Sequence, residues 1–156
     1  AQCCLGWCYE FGKGVELDEA RAVELYRAAA EQGLPRAQCC LGYCTEKGIG
    51  TEADPAAAAE WYRRSAEGGY SRGMYNYACC FENGTGVKKD LPLAQQWYER
   101  AAKEGLPDAM YELGVWYEDG RCGPKDAAQA LAWYKKAAEA GHDRARKAVE
   151  RMEKLV

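Results

Sequence analysis

The chain has 156 residues, of which 29% are charged, and a formal net charge of −3. A chain of this length is typical of a single domain. The slightly acidic balance argues against nucleic acid as a partner, because domains that bind phosphates usually carry a basic patch. The apolar runs are also far shorter than the roughly 20 residues that cross a bilayer. We therefore expect neither nucleic acid nor a membrane as the binding partner.

A 36-residue period runs through the chain four times. The units are residues 1–36, 37–72, 73–108 and 109–144, and they are followed by a segment at 145–156. The glutamate at the tenth position of each unit recurs as Glu10, Glu46, Glu82 and Glu118. The tyrosine at the twenty-sixth recurs as Tyr26, Tyr62, Tyr98 and Tyr134. A fixed period in this range predicts a solenoid, in which each unit buries its apolar face against its neighbours.

The first segment of each unit has apolar residues at helical spacing. In the first unit Leu5, Cys8 and Gly12 share one face, which predicts a helix from about residue 1 to residue 11. Gly12 and Gly14 are expected to end this helix, because glycine adopts positive φ without steric cost.

A second helix is predicted later in each unit. Asp18 is placed to cap its first turn, and Pro55 suits the first helical position of the next unit. A Trp-Tyr pair occupies the apolar face of this helix at 61–62, 97–98 and 133–134. We expect these aromatic side chains to pack between alanine-rich neighbours. Gly33 is expected to end the helix, and Pro35 to turn the chain into the next unit.

The last segment, 145–156, starts like another first helix, with Ala145, Val149 and Met152 in the core register. Its remaining residues are mostly charged. One apolar stripe beside a charged outer face is what a terminal cap of a solenoid requires.

The fourth unit carries the shared pattern in full: Ala109, Leu113-Gly114, Tyr117, Gly120, Asp126, Ala130, Trp133-Tyr134, Ala137-Ala138 and Gly141. This pattern resembles the Sel1-like repeat family, relatives of the tetratricopeptide repeats. The resemblance implies an all-α, right-handed α-solenoid of four 36-residue helix–turn–helix repeats with a C-terminal capping helix, forming one repeat domain over residues 1–156. It also implies an adaptor that brings proteins together, as a monomer or as part of a longer repeat array.

Nine cysteines are unusual for this length, and eight of them fall in the first helix of a unit. A secreted, cysteine-rich branch of the family ties the end of the second helix to the next first helix, but alanines such as Ala30 and Ala66 stand at that end here. We therefore favour a reducing, cytoplasmic compartment. Cys4 and Cys8, and likewise Cys40 and Cys44, are i, i+4 pairs.

Two interpretations of these cysteines remain open. Free cysteine packs as a small hydrophobe, which favours a place in the core. The alternative is a metal- or redox-responsive protein, because stacked helices could gather thiolates around zinc.

Signals for catalysis are weak. His142 is the single histidine and lies in a turn, and the chain has neither a nucleophile–histidine–carboxylate set nor a phosphate-binding or dinucleotide motif. We expect a non-enzymatic protein without a cofactor or a metal.

By similarity to tetratricopeptide solenoids, the first helices line a concave face. Helical geometry places repeat positions 3, 4, 7, 10 and 11 on that face. The candidate partner-binding residues are Trp7, Phe11, Tyr43, Lys47, Tyr75, Asn76, Asn83, Tyr111, Glu112 and Asp119. One end is aromatic and the other acidic, so we expect a peptide or protein ligand with an apolar anchor near Trp7 and a polar or basic stretch toward Glu112 and Asp119.

Two further alternatives bear on this face. A repeat upstream of residue 1 would cover Trp7 and Phe11 rather than leave them to a partner. The chain would also be purely architectural if it contacted only neighbouring repeats of a longer protein.

Overall fold

The computed structural model describes residue 6, residues 11–14 and residues 16–155 of the chain. Eight helices lie wholly within these ranges, and the described residues contain no strand. They are α1 (Glu19–Glu31), α2 (Pro35–Lys47), α3 (Pro55–Glu67), α4 (Ser71–Asn83), α5 (Leu91–Lys103), α6 (Pro107–Asp119), α7 (Ala127–Glu139) and α8 (Asp143–Lys154). Helices α2, α4 and α6 are the first helices of units two to four. The first helix of unit one, predicted over residues 1–11, lies mostly outside the described residues.

The helix ends follow the local chemistry of the sequence. The Asp18 carboxylate accepts a hydrogen bond from the Arg21 amide at 2.9 Å, as predicted for a cap. The equivalent aspartates cap α3, α5 and α7 in the same way. The first helices end at a glycine with positive φ, such as Gly48 at 71°.

The first helices of units two to four each start two residues earlier than the unit boundary suggests. Pro35 was expected to lie in the turn, but it is the first residue of α2, and Pro107 begins α6 in the same way. Proline is favoured there because its missing amide hydrogen has no partner in the first turn of a helix.

The helices stack in chain order, each packing against the next, and α2 also contacts α4. Four tyrosines form a buried column through this stack: Tyr26, Tyr62, Tyr98 and Tyr134, each 1% exposed. Small residues make room for their rings. A Cβ atom on Gly42 would lie 2.8 Å from ring carbons of Tyr62, which is too close for real atoms. The chain therefore folds as the predicted all-α solenoid.

The tryptophans beside these tyrosines differ from the expectation of simple core packing. Trp61, Trp97 and Trp133 are only half-buried. A cation lies over each indole ring: Arg64 at 4.9 Å, Arg100 at 4.5 Å and Lys136 at 4.4 Å. One ring face therefore packs on the core, while the other attracts a positive charge at the surface.

Helix α8 closes the stack against α7. Ala145 and Ala148 are buried, and most of its other residues are exposed and charged. This is the amphipathic cap that the sequence predicts. None of the described helices is long and apolar enough to cross a membrane.

Candidate functional site

A repeated tyrosine–glutamate hydrogen bond frames the exposed face of the first helices. The Tyr62 hydroxyl donates to Glu46 at 2.7 Å, which links the second helix of a unit to its first helix. Tyr98 donates to Glu82 at 2.6 Å and Tyr134 to Glu118 at 2.7 Å. The glutamates at repeat position 10 are therefore held by the core.

A cation also pairs with each of these glutamates. Lys47 lies 3.1 Å from Glu46, and Arg151 lies 2.7 Å from Glu118. Arg121, from the loop of unit four, pairs with Glu82. These ion pairs neutralise much of the negative charge that the sequence places along this face.

Helices α2 and α4 form a first recess, here called the α2/α4 cleft, with a volume of about 170 Å³. It is lined by Tyr43, Glu46, Lys47, Tyr62, Asn76, Cys79, Cys80, Asn83 and Thr85. Tyr43 is 44% exposed, which is unusual for a large aromatic side chain. The cleft brings together four of the residues predicted from the sequence: Tyr43, Lys47, Asn76 and Asn83.

Polar groups in the α2/α4 cleft offer both donors and acceptors. Asn76 donates to the Cys39 thiol at 3.4 Å, and Asn83 is exposed. The Cys79 thiol lies 3.1 Å from the Tyr98 hydroxyl, and burial raises the pKa of Cys79 to about 11. Cys79 is therefore a protonated, neutral group at ordinary pH.

A second recess, the α6/α8 cleft, has a volume of about 380 Å³. It is lined by Tyr75, Asp108, Tyr111, Glu112, His142, Asp143 and Arg144. The rings of Tyr111 and His142 stack with their centroids 4.6 Å apart. Three predicted residues, Tyr75, Tyr111 and Glu112, come together here.

Glu112 is the electrostatically unusual residue of the α6/α8 cleft. Burial raises its pKa above the ordinary range, and the nearby carboxylates of Glu82 and Asp108 raise it further. Arg121 and Arg144 oppose this effect through their positive charge. The charged form of Glu112 thus lacks full compensation.

The other predicted residues lie apart from both clefts. Asp119 is exposed and pairs with Arg121 at 3.3 Å. Phe11 is 54% exposed. Trp7 lies outside the described residues.

Sequence reasoning missed four residues that line the α6/α8 cleft: Asp108, His142, Asp143 and Arg144. They sit at the junction between units rather than on the wheel positions of a first helix. Asp108 joins this junction by pairing with Arg72 at 2.6 Å and lying 3.3 Å from the His142 ring nitrogen. The available signal was the reversed charge at the last position of unit three, where Asp108 replaces the arginine found at Arg36, Arg72 and Arg144.

The described cysteines are placed as packing residues or surface thiols. Cys44 and Cys80 are buried, in agreement with the core interpretation. Among the described cysteines, Cys39, Cys79, Cys80 and Cys122 carry free thiols. Within the described ranges, no group of three histidine, cysteine or acidic side chains is positioned to hold a metal ion.

The family model described as Sel1 repeat matches residues 1–34, 35–70, 71–106 and 107–142. A search of the curated proteins found no match.

Several solved structures share the architecture. A Sel1 repeat protein from Oxalobacter formigenes is 39% identical with a TM-score of 0.89, over 95% of this chain and 59% of that one. The antigen c5321 from uropathogenic Escherichia coli, described as displaying the same repeat fold, is 29% identical with a TM-score of 0.67, over 97% and 40%. Cysteine rich protein B from Helicobacter pylori is 26% identical with a TM-score of 0.66, over 88% and 98%. The chain thus spans about three-fifths of the first of these proteins and two-fifths of the second.

Proposed function

Since the chain belongs to the Sel1 repeat family, we propose that it is a non-enzymatic adaptor that binds an extended peptide or a protein partner along the face of its first helices. Sel1 repeat proteins are generally protein–protein interaction scaffolds and are typically non-enzymatic. The chain would act as a monomer or as part of a longer repeat array.

The observation that carries this proposal is the α2/α4 cleft, where an exposed tyrosine stands beside polar groups. Tyr43 is 44% exposed at a recess that also contains Lys47 and Asn83. Tyrosine is enriched among residues that dominate binding energy, because it offers a rigid apolar ring with a polar end. A partner side chain that covered Tyr43 would remove apolar surface from water.

The spacing of the asparagines suits an extended ligand. Asn76 and Asn83 lie seven residues apart on α4, a separation of about 10 Å along a helix. Three residues of an extended peptide span about the same distance. Each asparagine side chain carries both a donor and an acceptor, so the pair can match peptide groups at two points of an extended chain.

The remaining predicted residues extend this surface in two directions. Trp7, Phe11 and Tyr43 would provide the apolar anchor. Tyr75, Tyr111, Glu112 and Asp119 would face a polar or basic stretch of the ligand.

A selection from displayed random peptides against the folded chain tests the proposal. Replacement of Tyr43 or Trp7 by Ala is expected to weaken binding of an enriched peptide by roughly 1–3 kcal/mol without unfolding the chain. Gln96→Ala, at an exposed position on α5, is the control and is expected to leave the affinity unchanged.

Equal affinity for the Tyr43→Ala and Trp7→Ala proteins and the unmodified chain would exclude this face as the binding surface. A selection without any enriched peptide would favour a folded partner or an architectural role. Circular dichroism of each variant shows whether a loss of binding reflects unfolding.

A further inference from the structure

The α6/α8 cleft combines aromatic walls with a carboxylate, Glu112, that forms no ion pair with any described residue. Tyr75 on α4 and Tyr111 on α6 are half-buried, and so is Glu112, which follows Tyr111 on α6. Its volume of about 380 Å³ falls within the range of recesses that receive ligands. The recess is therefore large enough to receive a whole amino-acid side chain.

The neighbouring acidic residues already have cationic partners, whereas Glu112 does not. Asp108 pairs with Arg72 at 2.6 Å, and Glu82 pairs with Arg121. Within the described part of the chain, Glu112 makes no ion pair and no hydrogen bond through its side chain. A half-buried carboxylate without a partner is costly, and the positive charge of an incoming cation would offset part of that cost.

The tyrosine walls are chemically suited to the same cation. Arg72 already lies over the ring of Tyr75, with its guanidinium carbon 5.4 Å from the centroid. The face of an aromatic ring carries negative charge density and attracts ammonium and guanidinium groups. The cleft therefore offers a carboxylate and aromatic surface together.

We propose that the α6/α8 cleft receives one basic side chain of the partner, with its charged group against Glu112 and its methylene stem along Tyr75 and Tyr111. This inference rests on the proposed function, and it assigns the basic stretch of the ligand to one recess. Asp119 is not part of that recess, because it pairs with Arg121 outside it.

Arg144 would compete with an incoming cation for the Glu112 carboxylate. Its exposed side chain lines the cleft, and its charge acts on Glu112 from a distance without forming an ion pair within the described residues. Removal of this charge leaves the carboxylate more available to an external cation. The substitution Arg144→Gln is therefore expected to strengthen binding, which a merely structural role of the cleft does not predict.

Small blocked amino acids test the cleft without a known partner. Four blocked amino acids are titrated into protein with ¹³C-labelled tyrosine rings. They are the Nα-acetyl N-methylamides of lysine, arginine, glutamate and the uncharged norleucine. The NMR signals of Tyr75 and Tyr111 are assigned with the Tyr75→Phe and Tyr111→Phe proteins. We expect the lysine and arginine derivatives to shift both signals in a saturable way, with at least tenfold higher affinity than norleucine.

Substitutions then locate the charge. Glu112→Gln is expected to reduce the affinity for the lysine derivative at least tenfold, and Arg144→Gln to increase it severalfold. Glu150→Gln is the matched control, because it makes the same change at an exposed position of α8 that does not line the cleft. It is expected to leave the affinity unchanged.

Three results would overturn the inference: no saturable shift with either basic derivative, binding of norleucine or glutamate as tight as that of lysine, or unchanged affinity in the Glu112→Gln protein. None of these results would contradict the proposed function, because the peptide selection tests binding through Tyr43 and Trp7. Conversely, binding of the lysine derivative without any enriched peptide would support the cleft and contradict the extended-peptide function.

Discussion

The Tyr98 hydroxyl donates a hydrogen bond of 2.6 Å to the Glu82 carboxylate, joining the second helix of unit three to its first helix. Tyr98 is 1% exposed, whereas Glu82 is only half-buried. The pair thus connects the core of the solenoid to the face that we propose binds a partner. Equivalent bonds in units two and four show that this connection is part of the repeat.

Loss of the Tyr98 hydroxyl is expected to destabilise the fold. Tyr98→Phe removes a hydrogen bond to a charged acceptor, so the free energy of unfolding should fall by about 1–3 kcal/mol. Urea denaturation followed by circular dichroism measures this change. Tyr77→Phe is the control, because the Tyr77 ring packs against Phe81 and Trp97 and its hydroxyl makes no hydrogen bond within the described residues. Equal losses in both proteins would contradict a specific role for the tyrosine–glutamate bond.

The tyrosine column also predicts a loss of stability in alkaline solution. Burial is the main cause that raises the pKa of Tyr62, Tyr98 and Tyr134, and hydrogen bonding to glutamate raises it further. Below about pH 10 these tyrosines are protonated in both states, and their contribution to stability is fully present. Above that pH the unfolded chain loses protons that the folded chain retains, so the free energy of unfolding falls as the pH rises.

The slope of this alkaline loss identifies its source. The Tyr98→Phe protein should lose stability less steeply between about pH 10 and 11 than the unmodified chain, because one titrating group is absent. Burial also raises the pKa of Cys39 and Cys80, which adds a similar loss that begins at lower pH in both proteins. Parallel stability curves would show that Tyr98 ionises in the folded state as readily as in the unfolded state.

The glycine that faces Tyr134 gives a prediction with a defined sign. Alanine is favoured over glycine in a helix by about 1 kcal/mol. However, a Cβ atom at Gly114 would lie 2.5 Å from two ring carbons of Tyr134, and such overpacking costs about 1–3 kcal/mol. Displacement of the ring would also strain its bond to Glu118. Thermal unfolding of the Gly114→Ala protein should therefore show a lower Tm.

Unit three provides the reverse substitution at the same repeat position. Ala78 is completely buried beside its own tyrosine, so Ala78→Gly should also lower the Tm, through helix propensity and lost packing. A higher Tm for the Gly114→Ala protein would show that helix propensity outweighs the contact with Tyr134.

Much of the fold could be predicted because its determinants are local and repeated. Asp18 and its equivalents cap helices by accepting a hydrogen bond from the amide three residues later, and Gly48 and its equivalents supply positive φ. Neither feature requires knowledge of a distant residue. The 36-residue period then places each unit in the same surroundings as the last.

The candidate site was less predictable because its contacts cross unit boundaries. Helical geometry identified Tyr75 and Glu112 as residues of one face, but it could not show that His142 stacks on Tyr111. Arg121 reaches Glu82, a residue 39 positions earlier, from a loop that departs from the other units. Long side chains from junctions and loops thus decide which charges remain available to a partner, and a helical wheel contains no information about them.

The final prediction concerns the cysteines, whose reactivity should separate by position. Cys122 occupies the loop position that is Gly50 and Gly86 in units two and three, and it is exposed. Burial raises the pKa of Cys80 to about 12, so this thiol is both inaccessible and protonated at ordinary pH. In the native chain at about pH 8.5, iodoacetamide should modify Cys122 at least tenfold faster than Cys80, as measured by peptide mass spectrometry. Urea-unfolded protein is the control, in which both thiols should react at similar rates. Equally fast modification in the native chain would show that unit three opens readily and that Cys80 is not held in a stable core.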